Sequence, residues 1–169
     1  MTRRRALLML AVLLGPAACK EDKAEAPPAR AVTEDAIGQF CGMALAEHPG
    51  PKGQIFVRGK ADPLWFATVR ELFAFLRLPE YPKNVAAMYV TDMAQAADWS
   101  RPEPGPWMDA KRAFYVVGSR RRSGMDTDEL VPFGTDAAAR GFAAEHGGRV
   151  FAYADVPLEA VFPVTEERS

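Results

Sequence analysis

The stretch Gln54-Ile55-Phe56-Val57-Arg58 sets β-branched and aromatic residues between polar ends, which is the content of a strand. Upstream, residues 39–46 alternate apolar and polar side chains weakly, and His48-Pro49-Gly50-Pro51-Lys52-Gly53 between the two runs is turn chemistry. The two runs are therefore expected to pair as a hairpin with a long connection. Downstream, Asp62-Pro63 offers an N-cap followed by proline at the first helical position. Trp65, Phe66, Val69, Leu72, Phe73 and Leu76 then recur at helical spacing and stop before Pro79. Val85-Ala86-Ala87-Met88-Tyr89-Val90 is the next strand, which gives the order β-β-α-β.

The same order returns after a Pro-rich joint at residues 99–110. Residues 113–119 and 129–133 are strand-like, 135–146 is a helix stopped by Gly147-Gly148, and 149–153 is a final strand. The expected fold class is α+β, with duplicated β-β-α-β units over residues 32–98 and 111–163. Each unit alone has a thin core, so the two are expected to pack together, helices against sheet faces.

The chain opens with Thr2-Arg3-Arg4-Arg5, an apolar run at 6–14 and the small pair Ala17-Ala18 before Cys19. This is the layout of a secretory signal over residues 1–18, too short to span a bilayer. A cysteine at the cleavage point resembles the lipobox of bacterial lipoproteins, with Pro16 where that pattern usually has Leu. Cys19 would then carry the lipid. Residues 19–31, charged and rich in Ala and Pro, read as a flexible tether, and 164–169 as a tail. The 21 basic and 22 acidic residues nearly cancel, which argues against nucleic acid or a polybasic membrane surface as partner.

With Cys19 acylated, Cys41 has no disulfide partner in the chain, and a lone thiol in an oxidising compartment must be buried, ligated or reactive. If 41–43 is extended, Cys41 and Met43 point to one face with alpha carbons about 6.5 Å apart. Thiolate plus thioether is a donor set suited to Cu(I), whereas zinc seldom takes Met. His48 sits on the turn, where an exposed turn residue and a ligand are both open readings. Met125 lies in the polar loop Gly118-Ser119-Arg120-Arg121-Arg122-Ser123-Gly124-Met125-Asp126, where no apolar periodicity accounts for a methionine. Met88 fits a buried strand face and Met108 packing, while Met93 fits either role. His146 at a helix C-terminus reads as structural. Arg120-Arg121-Arg122 reads as a solvated loop, with docking of an acidic partner as the alternative. The chain has no Ser/His/Asp order, phosphate-cradling glycine loop or Cys-x-x-Cys motif.

The ordered set Cys41-Gly42-Met43, Gly50-Pro51-Lys52-Gly53-Gln54-Ile55, Tyr89-Val90-Thr91-Asp92, Trp107-Met108-Asp109-Ala110, Tyr115-Val116-Val117-Gly118-Ser119, Gly124-Met125, Pro132-Phe133 and His146-Gly147-Gly148 resembles the NosL family, the nitrous oxide reductase accessory lipoproteins. The resemblance implies a duplicated β-β-α-β fold related to organomercurial lyase. It also implies a lipoprotein on the outer membrane, facing the periplasm. Such a protein binds one Cu(I) and delivers copper to apo nitrous oxide reductase, with the accessory transporter or maturation complex as a further partner. Carried over by motif, it implies Cys41, Met43 and Met125 as metal ligands, with His48 as a looser candidate. Two alternatives stand beside a copper metallochaperone. One is a carbon–mercury lyase, whose chemistry is associated with a cysteine pair and an acid where the processed chain keeps only Cys41. The other is a metal-free envelope docking scaffold.

Overall fold

A computed structural model describes residues 25–101 and 106–162. The signal segment 1–18, Cys19 and the tail 164–169 lie outside the described residues, as does part of the joint.

Two antiparallel sheets form the frame. The first has the strand order β2-β1-β3-β4 and the second β6-β5-β7, where β1 is Gly53–Val57, β2 Leu64–Phe66, β3 Val85–Thr91, β4 Trp107–Asp109, β5 Phe114–Val117, β6 Val131–Phe133 and β7 Arg149–Ala152. Helix α1 (Val69–Phe75) lies between β2 and β3 in the chain, α2 (Asp136–His146) between β6 and β7, and a short α3 (Leu158–Val161) closes the described chain. The order β-β-α-β thus occurs twice.

The second unit follows the sequence pattern closely; the first departs from it in two places. Residues 39–46 do not pair with β1. They close a small loop of their own through an isolated bridge between Ile37 and Ala44, while β1 pairs with β2 and β3. The expected helix start at Asp62-Pro63 is also wrong. Leu64-Trp65-Phe66 fits a helical spacing but equally a strand, and pairing with Gly53-Gln54-Ile55 decides for the strand. Helix α1 begins instead at Thr68, whose hydroxyl accepts the Glu71 amide at 3.0 Å.

The two units share one core. Val69, Leu72 and Phe73 of α1 pack with Ile55 and Val90 of the first sheet and with Tyr115, Leu130 and Val156 from the second half. Alternation along β5 sends Tyr115 into this core and Val116 into a smaller one with Val131, Phe133 and Ala139. The second sheet therefore stands between the main core and α2. Full burial of each large apolar side chain contributes about 1.5–3 kcal/mol, which a single thin unit could not collect. Gly53 permits the close approach of α1 to β1, since a Cβ there would lie 2.5 Å from a Leu72 methyl. Asp92 ties the halves further by accepting the Gly134 amide at 3.0 Å.

The segment expected to be a flexible tether and the Pro-rich joint both pack on the first sheet. In the tether, Gln54 exchanges two hydrogen bonds with the backbone of Arg30, and the Tyr89 hydroxyl donates to the Pro27 carbonyl at 2.8 Å. In the joint, Trp107–Asp109 adds β4 to the edge of the first sheet, because an apolar pair, Trp107 and Met108, finds a cover there.

Candidate metal centre

Two loops converge at the end of the first sheet where β1 begins. The first, residues 37–48, leads into β1. Gly38 donates to the Met43 carbonyl at 2.9 Å and Gly42 to the Gly38 carbonyl at 2.9 Å, so the segment turns tightly on itself. The extended geometry expected for Cys41-Gly42-Met43 is therefore absent. Gly42 adopts φ 67°, a left-handed conformation that glycine takes without a Cβ clash, and strand alternation does not place Cys41 and Met43. Their loop does. Cys41 is a free, half-buried thiol whose Sγ leans over Gly38; a Cβ on Gly38 would come within 2.5 Å of it.

Met43 and His48 meet directly. His48 Nε2 stands 3.2 Å from Met43 Sδ, although five residues separate them and a turn of 3-10 helix, Leu45–Glu47, intervenes. Leu45 is fully buried and anchors that turn, which leaves both donors at the surface: Met43 is 39% exposed and His48 half-buried. Two donors that share one ion at bond lengths of about 2.0–2.3 Å stand about 3–4 Å apart, so this pair is already spaced for a common ion.

The second loop brings Met125. Gly124 packs so closely on the first loop that a Cβ there would lie 2.9 Å from His48 Cβ and 2.8 Å from Pro49 Cδ. Met125, next in the chain, lines a cleft of about 370 Å³ together with Phe40 and Glu71. The loop is held by its own bonds. The Ser123 hydroxyl is 2.8 Å from that of Thr127, and Arg122 pairs with Asp128 and Asp126. The basic run is thus not simply solvated. Arg120 donates to the Glu145 carbonyl at the end of α2, and the Arg121 guanidinium lies over the Trp99 ring.

Three polar residues of this region carry no signal in the donor motifs. Lys52 is buried, and its ammonium donates to the His48 carbonyl at 2.7 Å and the Gly50 carbonyl at 2.6 Å, fixing the turn that carries the imidazole. The segment 50–55, read as hairpin chemistry, is thus the buried support of His48. Glu71, in the first turn of α1, has a buried carboxylate oxygen without a hydrogen-bond partner. Burial pushes its carboxyl up, while the Thr68 and Ala67 amides and His48 pull it down. Glu129 is fully enclosed; burial raises it to about 8 against the pull of the Leu130 and Arg70 amides and of Lys52. Only Glu71 was findable, because Thr68-Val69-Arg70-Glu71 has the spacing of a capping box.

The remaining candidates stay apart. His146 packs on Phe142 with tilted rings whose centroids are 4.5 Å apart and ends α2, as its structural reading requires. Met88 is buried in the main core, Met108 packs against it, and Met93 packs on the smaller core. Cys19 lies outside the described residues. Among the described residues, no three His, Cys, Asp or Glu side chains gather as a metal site. The donors brought together are the Met43 thioether and the His48 imidazole, with the Cys41 thiol on the same loop, types suited to a soft cation of low charge.

A family model, NosL, matches residues 28–161, which includes both donor loops and both sheets. The chain belongs to the NosL family. It is 45% identical to the copper-binding lipoprotein NosL of Achromobacter cycloclastes over 169 residues, 99% of this chain and 88% of that one. It is 33% identical to the copper-binding lipoprotein NosL of Stutzerimonas stutzeri over 116 residues, 69% of this chain and 59% of that one. The crystal structure of the copper chaperone NosL from Shewanella denitrificans superposes with a TM-score of 0.72 at 30% identity, covering 78% of this chain and 98% of that one. The solution structure of apo-NosL from Achromobacter cycloclastes gives 0.50 at 44% identity, over 68% and 93%. The duplicated α+β fold is thus the NosL fold.

Proposed function

We propose that this chain is a copper metallochaperone that takes Cu(I) on Cys41, Met43 and His48, with Met125 closing the set from the second loop. It acts as a carrier and not as an enzyme, delivering copper for assembly of the metal centres of nitrous oxide reductase. The observation that carries this reading is the 3.2 Å contact between Met43 Sδ and His48 Nε2, on the loop that also carries the half-buried Cys41 thiol. The names of the relatives support copper as the cargo.

The residues divide the work. Cys41 supplies the negative charge that neutralises Cu(I), and sulfur donors hold the soft ion while discriminating against harder divalent ions. Lys52 keeps the His48 backbone in place. Exposure of Met43 lets an incoming ligand replace one donor at a time, so that the ion passes on without becoming free. The lipoprotein names of the relatives and the lipobox-like Cys19 support a membrane-anchored protein facing the periplasm, with the outer membrane as the site of anchoring. Among the described residues no helix is long and apolar enough to cross a membrane.

The test is an anaerobic Cu(I) titration against a chromogenic chelator. The expected result is one copper per chain. Cys41→Ala should abolish tight binding, and Met43→Leu or His48→Ala should weaken it by about tenfold or more, one donor's worth. X-ray absorption should show mixed sulfur and nitrogen scattering that becomes all-sulfur in His48→Ala. Unchanged affinity in Cys41→Ala would sink the assignment. Delivery is tested separately by activation of apo nitrous oxide reductase with the loaded protein.

A further inference from the structure

The outer edge of β3 is longer than the strand that covers it. On the inner side β1 pairs with β3 from Val85 to Val90, but on the outer side β4 reaches only from Tyr89 to Thr91. Beyond Asp109 the chain leaves the sheet in the 3-10 turn Ala110–Arg112, because the Asp109 carboxylate captures the Lys111 amide at 2.8 Å. Among the described residues, Val85–Met88 has no strand on its outer side. The lane is a cleft of about 510 Å³, which Ala26 of the N-terminal segment also lines.

The backbone there is oriented for pairing. The Thr91 amide donates inward to the Lys52 carbonyl and the Asp92 amide outward to the Pro106 carbonyl. By alternation, the even-numbered residues back to Met88 present their backbone groups outward. At Ala86 a register irregularity leaves the residue with no partner on β1. Open strand edges of this kind accept an extended chain, whose main-chain hydrogen bonds give affinity while side chains at the rim give selectivity.

Charge selects the occupant. Lys83 and Lys111 stand exposed at the rim, the Lys83 ammonium 4.6 Å above the Tyr81 ring, and neither forms an ion pair among the described residues. Asp109 is the acid in the lining, so the rim sets two ammonium groups against one carboxylate. Lysines on an open edge repel the same edge of a second copy; they attract a strand that carries carboxylates. We propose that the outer edge of Val85–Met88 docks an extended, acidic segment of a partner protein, which adds to the first sheet as a fifth strand. The site lies at the far end of the sheet from the metal donors, since β1 runs from Gly53, beside them, to Val57, which pairs with Val85. A partner held here leaves Cys41 and Met43 free, so this site does not depend on the copper reading.

The test uses the isotope-labelled full chain and two short probe peptides, one alternating Glu with Val and the other Lys with Val. The Glu probe should shift the backbone amides of residues 83–89 and 111 and the Lys probe should not. In Lys83→Glu/Lys111→Glu this preference should invert, with affinity for the Glu probe falling at least about tenfold. Ala86→Pro, placed where the ladder to β1 is already interrupted, should abolish binding of the Glu probe with Cu(I) affinity retained. The proposal is overturned by three results: no shifts with the Glu probe, equal shifts with both probes, or retained Glu-probe binding in the charge-reversed variant, which stands as a test even if Ala86→Pro fails to fold. Concentration-dependent shifts at 83–89 without probe would assign the edge to a second copy, and shifts on deleting residues 20–24 to the chain's own N-terminal segment. Either outcome also overturns it.

Discussion

Helices α1 and α2 start with the same device and end in different surroundings. The Thr68 hydroxyl accepts the Glu71 amide at 3.0 Å and the Thr135 hydroxyl accepts the Ala138 amide at 3.2 Å, so each helix is capped three residues in. Yet α1, only seven residues long, buries Val69, Leu72 and Phe73, whereas the eleven residues of α2 bury only Ala139. The difference is one of layers. Helix α1 is enclosed between the first sheet and the second half of the chain, while α2 covers the outer face of the second sheet. A local start signal decides where a helix begins; what it is worth to the protein depends on how many layers close over it.

The largest test of this contrast is at the aromatic anchors. Phe73, fully buried with its ring 4.9 Å from that of Tyr115, should cost about 3–5 kcal/mol on replacement by alanine. Phe142→Ala on α2, a half-buried site, should cost less than half as much in urea unfolding. Equal losses would break the distinction between an enclosed and an outer helix.

The enclosed interior should also respond to pH through Glu129. The folded protein holds this carboxyl near 8, against a reference value of 4.5 when exposed. Between those values the folded state keeps a proton that the unfolded chain releases, so stability is fullest below about 4.5 and falls as pH rises toward 8. Melting temperatures from pH 5 to 8 should decline in the parent protein, and Glu129→Gln should flatten that decline. A slope left unchanged by the substitution would place the titration elsewhere.

Smaller effects sharpen the comparison at the caps. Thr68→Ala and Thr135→Ala should each lose about 1 kcal/mol. Only the first should also weaken Cu(I) affinity, because it loosens the turn carrying Glu71 toward the donor loops. Smallest is Asp136→Asn, which removes an exposed ion pair with Arg140 at 2.6 Å on α2. Such pairs are screened by solvent, and no change in melting temperature is expected.

The second unit was the legible one. Its strands and helix lie where local pattern and tertiary pairing agree, as at Arg149–Ala152 beside β5. In the first unit they compete: Leu64-Trp65-Phe66 satisfies a helical spacing, and only its partners on β1 make it a strand. The capping spacing at Thr68–Glu71 was nonetheless in the sequence and outweighs Asp62-Pro63 once both are set side by side. At the donor site, residue types were readable and geometry was not. A strand would give Cys41 and Met43 a shared face; the tight loop that turns at Gly42 places them instead.

By itself, the sequence determined the chemistry available, a thiol, thioethers and an imidazole, and a twofold β-β-α-β order. These follow from residue type and short-range spacing, which the chain carries wherever it folds. The tertiary structure alone decided which donors meet, since the approach of Gly124 to His48 joins loops that are distant in the chain. It also decided that Lys52 and Glu129 are buried, that one carboxylate oxygen of Glu71 is enclosed, and that among the described residues the outer edge of β3 is left open. Burial and pairing are properties of what packs on a residue from elsewhere, and no local pattern records them.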